Sequence, residues 1–131
     1  MDGMSLKINQ ITFDAHEPVR QAAFWASAMG WFEDADNPGL PEDDEAAILS
    51  ADRSQVLLFI RVPEGKSVKN RVHLDVSPTD STRDAEVERL VTLGASVYDD
   101  RRLPDGRGWV VMQDPEGNEF CMERAESERT A

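Results

Sequence analysis

The sequence predicts an α+β protein made of two copies of one βαβββ module. Three observations support this prediction: short runs with the alternating or apolar pattern of strands, two amphipathic stretches of helical length, and a repeat of the whole order at a near-constant offset. A chain of 131 residues is long enough to bury a core. We interpret residues 1–131 as a single domain.

Module one, at about residues 7–63, begins with a strand followed by a helix. Residues 7–15 (KINQITFDA) alternate between two faces, as a half-buried strand does. Residues 17–30 (EPVRQAAFWASAMG) have the pattern of an amphipathic helix. Pro18 suits its first turn and Gly30 suits its end.

Two further strands are recognised in module one, against three in module two. They are predicted over residues 45–52 (EAAILSAD) and 54–62 (SQVLLFIRV), where apolar and β-branched residues cluster. The second strand is expected to end there because residues 63–65 (PEG) form a turn signal.

Module two, at about residues 70–125, repeats this order. A strand is predicted over residues 70–77 (NRVHLDVS) and a helix over residues 80–95. The side chains of Asp80 and Ser81 are the candidate caps for the first turn of this helix.

Three strands close the second module. They are predicted over residues 96–102 (SVYDDRR), 108–114 (GWVVMQD) and 118–124 (NEFCMER). The tail at residues 126–131 is polar, and we expect it to be flexible.

The two halves align with each other along their length. Asp14 matches Asp75 at an offset of 61 residues, and Asp52 matches Asp114 at an offset of 62. A constant offset with the same element order indicates a duplicated module. The alternative is a chance match between two amphipathic units.

Composition and charge exclude several classes of function. No apolar run reaches the roughly 18 residues of a membrane span. The formal charge of −12 repels phosphate backbones and anionic membranes, so we expect no nucleic acid or membrane partner. The acidity favours a cationic ligand or serves solubility alone. One cysteine, Cys121, and a start without an apolar signal-peptide region predict a cytoplasmic protein.

A tight turn near the end of the chain marks a candidate site. Residues 114–117 (DPEG) suit a type I turn, and Glu119 follows in the next strand. A charged residue at this position suits a metal ligand, a substrate-binding group or a solvated strand residue. The residues alone leave these three roles open.

The chain resembles the vicinal oxygen chelate superfamily, in its branch of glyoxalase-like and bleomycin-resistance-like domains. The motifs are ITFDAHEPVRQAAFWASAMGW at residues 11–31, RVHLDV at 71–76 and LGASVYDDRRLPDGRGWVVMQDPEGNEFCMER at 93–124. The resemblance implies the glyoxalase/bleomycin-resistance/dioxygenase fold, in which two βαβββ modules form a cupped sheet around a cavity. It also implies modules that often combine across a dimer.

The metal positions of this superfamily fall on residues that are not its usual ligands. Carried over by the resemblance, they are Gln10, Phe59, Arg71 and Cys121, where His or Glu is expected. A divalent ion needs nitrogen, oxygen or thiolate donors, which Phe lacks and Arg cannot offer. We therefore predict no metal at these positions and no cofactor.

Strand alternation then defines a candidate ligand site in the cavity. Glu119 shares a face with Cys121, and His73 shares a face with Arg71, so we predict that His73 and Glu119 share a hydrogen bond directly or through one water. Trp109 is placed to stack on a planar ligand. No catalytic residue is assigned, and the predicted ligand-binding residues are His73, Glu119, Arg71, Gln10, Thr12, Cys121 and Trp109.

Three functions are compatible with these residues. The first is a glyoxalase-like protein that binds a small molecule without a metal. The second is a metal-dependent lyase, isomerase or dioxygenase that uses non-standard ligands, and the third is a structural subunit with a vestigial cavity. We also expect a homodimer, because the superfamily favours one and because apolar bulk lies at Trp25, Trp31 and Phe32.

Overall fold

The computed structural model describes residues 4–35 and 39–129. The chain divides into two compact units, of which one ends at Gly65 and the other begins at Lys66. Within the described ranges, no helix has the length and apolar character needed to cross a membrane.

Module one is a four-stranded sheet with one helix. Its elements are β1 (Ile11–Ala15), α1 (Pro18–Met29), β2 (Phe32–Glu33), β3 (Glu45–Leu49) and β4 (Val56–Arg61). The strands lie in the order β1-β4-β3-β2. The first and last strands of the module are parallel neighbours, and the other pairs are antiparallel.

Module two repeats this topology and adds a short helix. Its elements are β5 (Asp75–Val76), α2 (Arg83–Leu93), β6 (Ser96–Asp100), β7 (Val110–Gln113), β8 (Glu119–Met122) and α3 (Glu126–Arg129). The strand order is β5-β8-β7-β6, again with the first and last strands parallel. The predicted α+β class and the two βαβββ modules are confirmed.

Two strands differ most from their predicted form. Strand β2 was not predicted, because two residues are too few to show a period. The strand expected over residues 70–77 contracts to β5, which pairs with β8 only at Asp75 and Val76. Further upstream, the backbone N–H of Asn70 donates to the Glu119 side chain instead of to a strand neighbour.

The helix ends follow local capping rules with one correction. Pro18 occupies the first turn of α1, and Gly30 ends it with φ of 68°, in the left-handed region that glycine tolerates. The cap of α2 is Thr82, whose Oγ1 accepts from the Ala85 N–H at 3.2 Å, so the predicted caps at 80 and 81 are wrong. In the tail, residues 126–129 form α3, and its predicted flexibility stays a prediction.

Each module has its own aromatic and aliphatic core. In module one, Phe13 packs on Phe59 with ring centroids 5.1 Å apart and on Trp25 at 5.7 Å. The buried apolar side chains of module two are Val87, Leu90, Ala95, Val110, Met112, Phe120, Met122 and Ala125. The helix of each module therefore packs on one face of its sheet and leaves the other face for different chemistry.

Strand register supports duplication and corrects one residue. Asp14 pairs with Ile60 in module one, and Asp75 pairs with Cys121 in module two, so both members shift by the same 61 residues. Ile60, and not Phe59, is therefore the counterpart of Cys121. Phe59 is 0% exposed and belongs to the core, because a slip of one residue moves a strand side chain to the opposite face.

Candidate functional site

A cavity of about 580 Å³ lies within module two, on the face of the sheet that carries Asp75 and Cys121. These two residues and Val111 stand side by side on three adjacent strands, which makes them one row across the sheet. The lining residues are Lys69, His73, Asp75, Tyr98, Asp99, Arg101, Trp109, Val111, Cys121 and Glu123.

His73, Asp75 and Cys121 form a polar triad in this cavity. The Nε2 atom of His73 lies 3.2 Å from Oδ1 of Asp75. One nitrogen, oxygen or sulfur atom from each of the three lies within 4.8 Å of the others. The triad thus offers a carboxylate flanked by an imidazole and a thiol.

The thiol of the triad is held in its protonated form. Burial raises the pKa of Cys121 to about 11, and the negative charge of Asp75 and a hydrogen bond to its carboxylate act in the same direction. A thiol with this pKa is a poor nucleophile at neutral pH. Cys121 therefore acts as a hydrogen-bond donor to Asp75.

Aromatic side chains form part of the cavity wall. Trp109 directly precedes β7 and is 45% exposed, and Tyr98 lies on β6 and is 56% exposed. Both line the cavity, which gives a ligand access to aromatic surface. Arg101 on the same wall bonds Asp99 through Nε at 2.7 Å. The wall thus suits a planar ligand with polar edges.

Glu119 has a structural role, and the direct hydrogen bond predicted between it and His73 is wrong. Its side chain is 5% exposed, and its carboxylate accepts from the backbone N–H of Asn70 at 2.8 Å and from Nζ of Lys66 at 3.0 Å. Burial raises the pKa of Glu119, but these bonds outweigh burial and lower the pKa to about 2. His73 lies against Asp75 instead.

The predicted ligand-binding residues are distributed unevenly. The module-two cavity brings together His73, Trp109 and Cys121 but takes in neither Glu119 nor Arg71, which is exposed. Gln10 and Thr12 are exposed residues of module one, and their part in binding stays a prediction.

Asp75 and Tyr98 were not predicted as site residues. The signal for Asp75 was present in the sequence, since it shares a strand face with His73 and repeats Asp14. Tyr98 gave no comparable signal, because it lies at the register shift between β6 and β7, where regular strand alternation does not apply.

The side chains of the triad are better metal ligands than the residues at the superfamily metal positions. Imidazole nitrogen, carboxylate oxygen and thiolate sulfur are the three donor types that Zn²⁺ takes in proteins. In module one the equivalent positions hold Thr12, Asp14 and Ile60, a set with a single strong donor. Only the described part of module two therefore offers a three-donor site.

Comparison with known proteins supports the fold. A family model described as a glyoxalase-like domain matches residues 10–123. No curated protein matches the sequence.

Solved structures with low sequence identity to this chain also support the fold. The fosfomycin resistance protein FosX from Mesorhizobium loti superposes with a TM-score of 0.67 at 18% identity, over 97% of this chain and 98% of that one. A mutant FosX from Listeria monocytogenes, solved with Mn(II) and 1S,2S-dihydroxypropylphosphonic acid, gives 0.68 at 17% identity over 97% and 98%. A glyoxalase-related enzyme from Fulvimarina pelagi gives 0.61 at 19% identity over 89% and 86%.

Proposed function

Since the chain belongs to the family of glyoxalase-like domains, we propose that it binds a small molecule in the module-two cavity without a metal. The observation that carries this proposal is the polar triad in a cavity with aromatic walls. Polar groups that converge in a concave site are the usual means of orienting a small ligand.

The triad favours a ligand that donates hydrogen bonds. An ionised carboxylate has about four acceptor positions, and His73 and Cys121 use two of those on Asp75 at most. The remaining positions can accept from a ligand N–H. Trp109 and Tyr98 add a preference for a planar or cationic group, which the acidic net charge reinforces over distance.

Three probes that share one ring separate these preferences. Benzamidine carries a cationic N–H donor, benzamide a neutral one, and benzoate an anionic acceptor. We expect binding to weaken in that order, measured by NMR shift perturbation around Asp75 in protein treated with a chelator. Asp75→Asn should weaken benzamidine by about tenfold to a hundredfold, since it removes a charged hydrogen-bond acceptor.

The duplicated fold supplies the matched control. Asp14 holds the position of Asp75 in module one, so Asp14→Asn makes the same chemical change at a residue that does not line the cavity. It should leave benzamidine binding unchanged. Equal effects of the two variants, or shifts that do not map to the cavity, would overturn the proposal.

A metal-dependent lyase, isomerase or dioxygenase is the second candidate, and the proximity of the triad atoms favours it. His73, Asp75 and Cys121 would hold the ion, which would supply Lewis-acid activation of a bound oxygen. Binding would require loss of the Cys121 proton and would therefore weaken as the pH falls.

Cobalt titration tests the second candidate directly. Thiolate coordination by Co²⁺ gives an intense near-ultraviolet absorption, which Cys121→Ser should abolish and Asp14→Asn should preserve. Saturation at one equivalent would favour the metal-dependent function. Absence of this absorption at millimolar Co²⁺ would exclude a Cys121-ligated site and leave the metal-free proposal.

A further inference from the structure

A second pocket, of about 660 Å³, lies beside the module-two cavity and has an unusual charge for this protein. Four of its lining residues are arginines and one is an acid, although acids outnumber Lys and Arg by 26 to 14 in the whole chain. We call it the arginine pocket, and its lining residues are Arg101, Leu103, Arg107, Gly108, Trp109, Glu123, Arg124 and Arg129.

Three of the arginines have weak partners that leave donors available. Arg101 and Arg107 each donate to an aspartate through Nε, and Arg129 donates to Glu123 through Nη2. Exposed ion pairs of this kind contribute little to stability. Within the described residues, both Nη groups of Arg101 and of Arg107 have no protein acceptor, so these groups can turn to a ligand.

Arg124 is the least satisfied cation of the pocket. Among the described residues it has no carboxylate partner, and its one hydrogen bond is a long contact of 3.5 Å from Nη1 to the backbone oxygen of Glu128. Its residue is only partly exposed. A guanidinium that has lost part of its water without gaining an acceptor is a favourable binding group for an anion.

The loop that carries Arg107 is held by hydrogen bonds from a buried arginine. Arg83 is buried, and its Nη1 donates to the backbone oxygens of Gly106 at 3.0 Å, Arg107 at 3.3 Å and Gly108 at 3.0 Å. Gly108 has φ of 96°, and a Cβ atom there would lie 2.1 Å from the Arg101 oxygen. The backbone of the arginine pocket is therefore set before any ligand arrives.

We propose that the arginine pocket binds a tetrahedral oxyanion, phosphate being the chemical class. Planar guanidinium groups bond such an anion through paired N–H donors, and several of them share its charge. The site is separate from the triad, although it shares Arg101, Trp109 and Glu123 with the cavity. The proposal holds whether or not the triad binds a ligand.

The test is a titration with inorganic phosphate at constant ionic strength, read out on the arginine Nε–Hε signals by NMR. Phosphate should shift the signals of Arg101, Arg107 and Arg124, whereas acetate should bind more weakly. Arg124→Gln should weaken phosphate binding by about tenfold. Arg124→Lys should weaken it by less, because lysine keeps the positive charge but lacks the paired N–H donors of a guanidinium group. Arg20→Gln is the matched control, since Arg20 is an exposed arginine of α1.

Phenyl phosphate distinguishes the two sources of the anion. Tighter binding than inorganic phosphate, with shifts of Trp109, would support an organic phosphate, and equal binding would support a free anion. The proposal is overturned if phosphate gives no shifts at tens of millimolar, or if Arg124→Gln weakens it no more than Arg20→Gln does. Unchanged backbone spectra of the variants would show that they are folded.

Discussion

The two modules share a topology and a strand register but differ in what their free sheet faces carry. On the core face, Phe59 of module one and Phe120 of module two are equivalent and both buried. On the opposite face, Thr12, Asp14 and Ile60 stand where module two has His73, Asp75 and Cys121. Packing keeps the two buried phenylalanines alike, because protein interiors tolerate few changes of side-chain volume. The free face has no such constraint, so the chemistry of the two copies differs there.

The largest expected effect tests the equivalence of the cores. Phe59→Ala and Phe120→Ala should each reduce the free energy of unfolding by about 3–5 kcal/mol, because each leaves a large cavity. Urea denaturation measures this, with Tyr98→Ala, which alters an exposed ring, as the control. A loss at Phe59 as small as that at Tyr98 would show that the modules are not supported in the same way.

A smaller effect should appear at Glu119, whose counterpart in module one is the apolar Leu58. Glu119→Gln should reduce the free energy of unfolding by about 1–3 kcal/mol, because it weakens the bonds from Asn70 and Lys66. Glu88→Gln, on an exposed position of α2, controls for the loss of one charge.

The same variant should change the pH dependence of stability. The pKa of Glu119 is about 2 in the folded protein against an ordinary 4.5, so its ionised form stabilises the fold above pH 4.5. That stabilisation is lost as the pH falls towards 2. The difference in stability between wild type and Glu119→Gln should therefore shrink across this interval, and a constant difference would contradict the assigned bonds.

The smallest effect concerns the thiol that only module two possesses. Asp75→Asn removes a negative charge beside Cys121, so the pKa of Cys121 should fall from about 11 while burial keeps it above the ordinary 9.0. Alkylation by iodoacetamide at pH 8 should become about three- to tenfold faster. Asp14→Asn should leave the alkylation rate unchanged. An equal acceleration by both variants would show that Asp75 does not control the pKa of Cys121.

The sequence predicted elements well and partners less well, for physical reasons. Helices and strands carry a local period, and alternation correctly set Glu119 and Cys121 on one strand face. The partner of Glu119 was missed because Lys66 lies 53 positions away in a segment without a period. The superfamily metal position was assigned to Phe59, one residue before Ile60, which is the true counterpart of Cys121. An error of one residue moves a strand side chain to the opposite face of the sheet.

The parallel pairing of first and last strands has a consequence for synthesis on the ribosome. Strand β1 has no neighbour until β4 emerges, and β5 has none until β8 does. Each sheet is therefore completed late in the translation of its own module, and module one can close while module two is still being made. The Glu119 contacts form late as well, since Glu119 is translated 53 residues after Lys66 and 49 residues after Asn70.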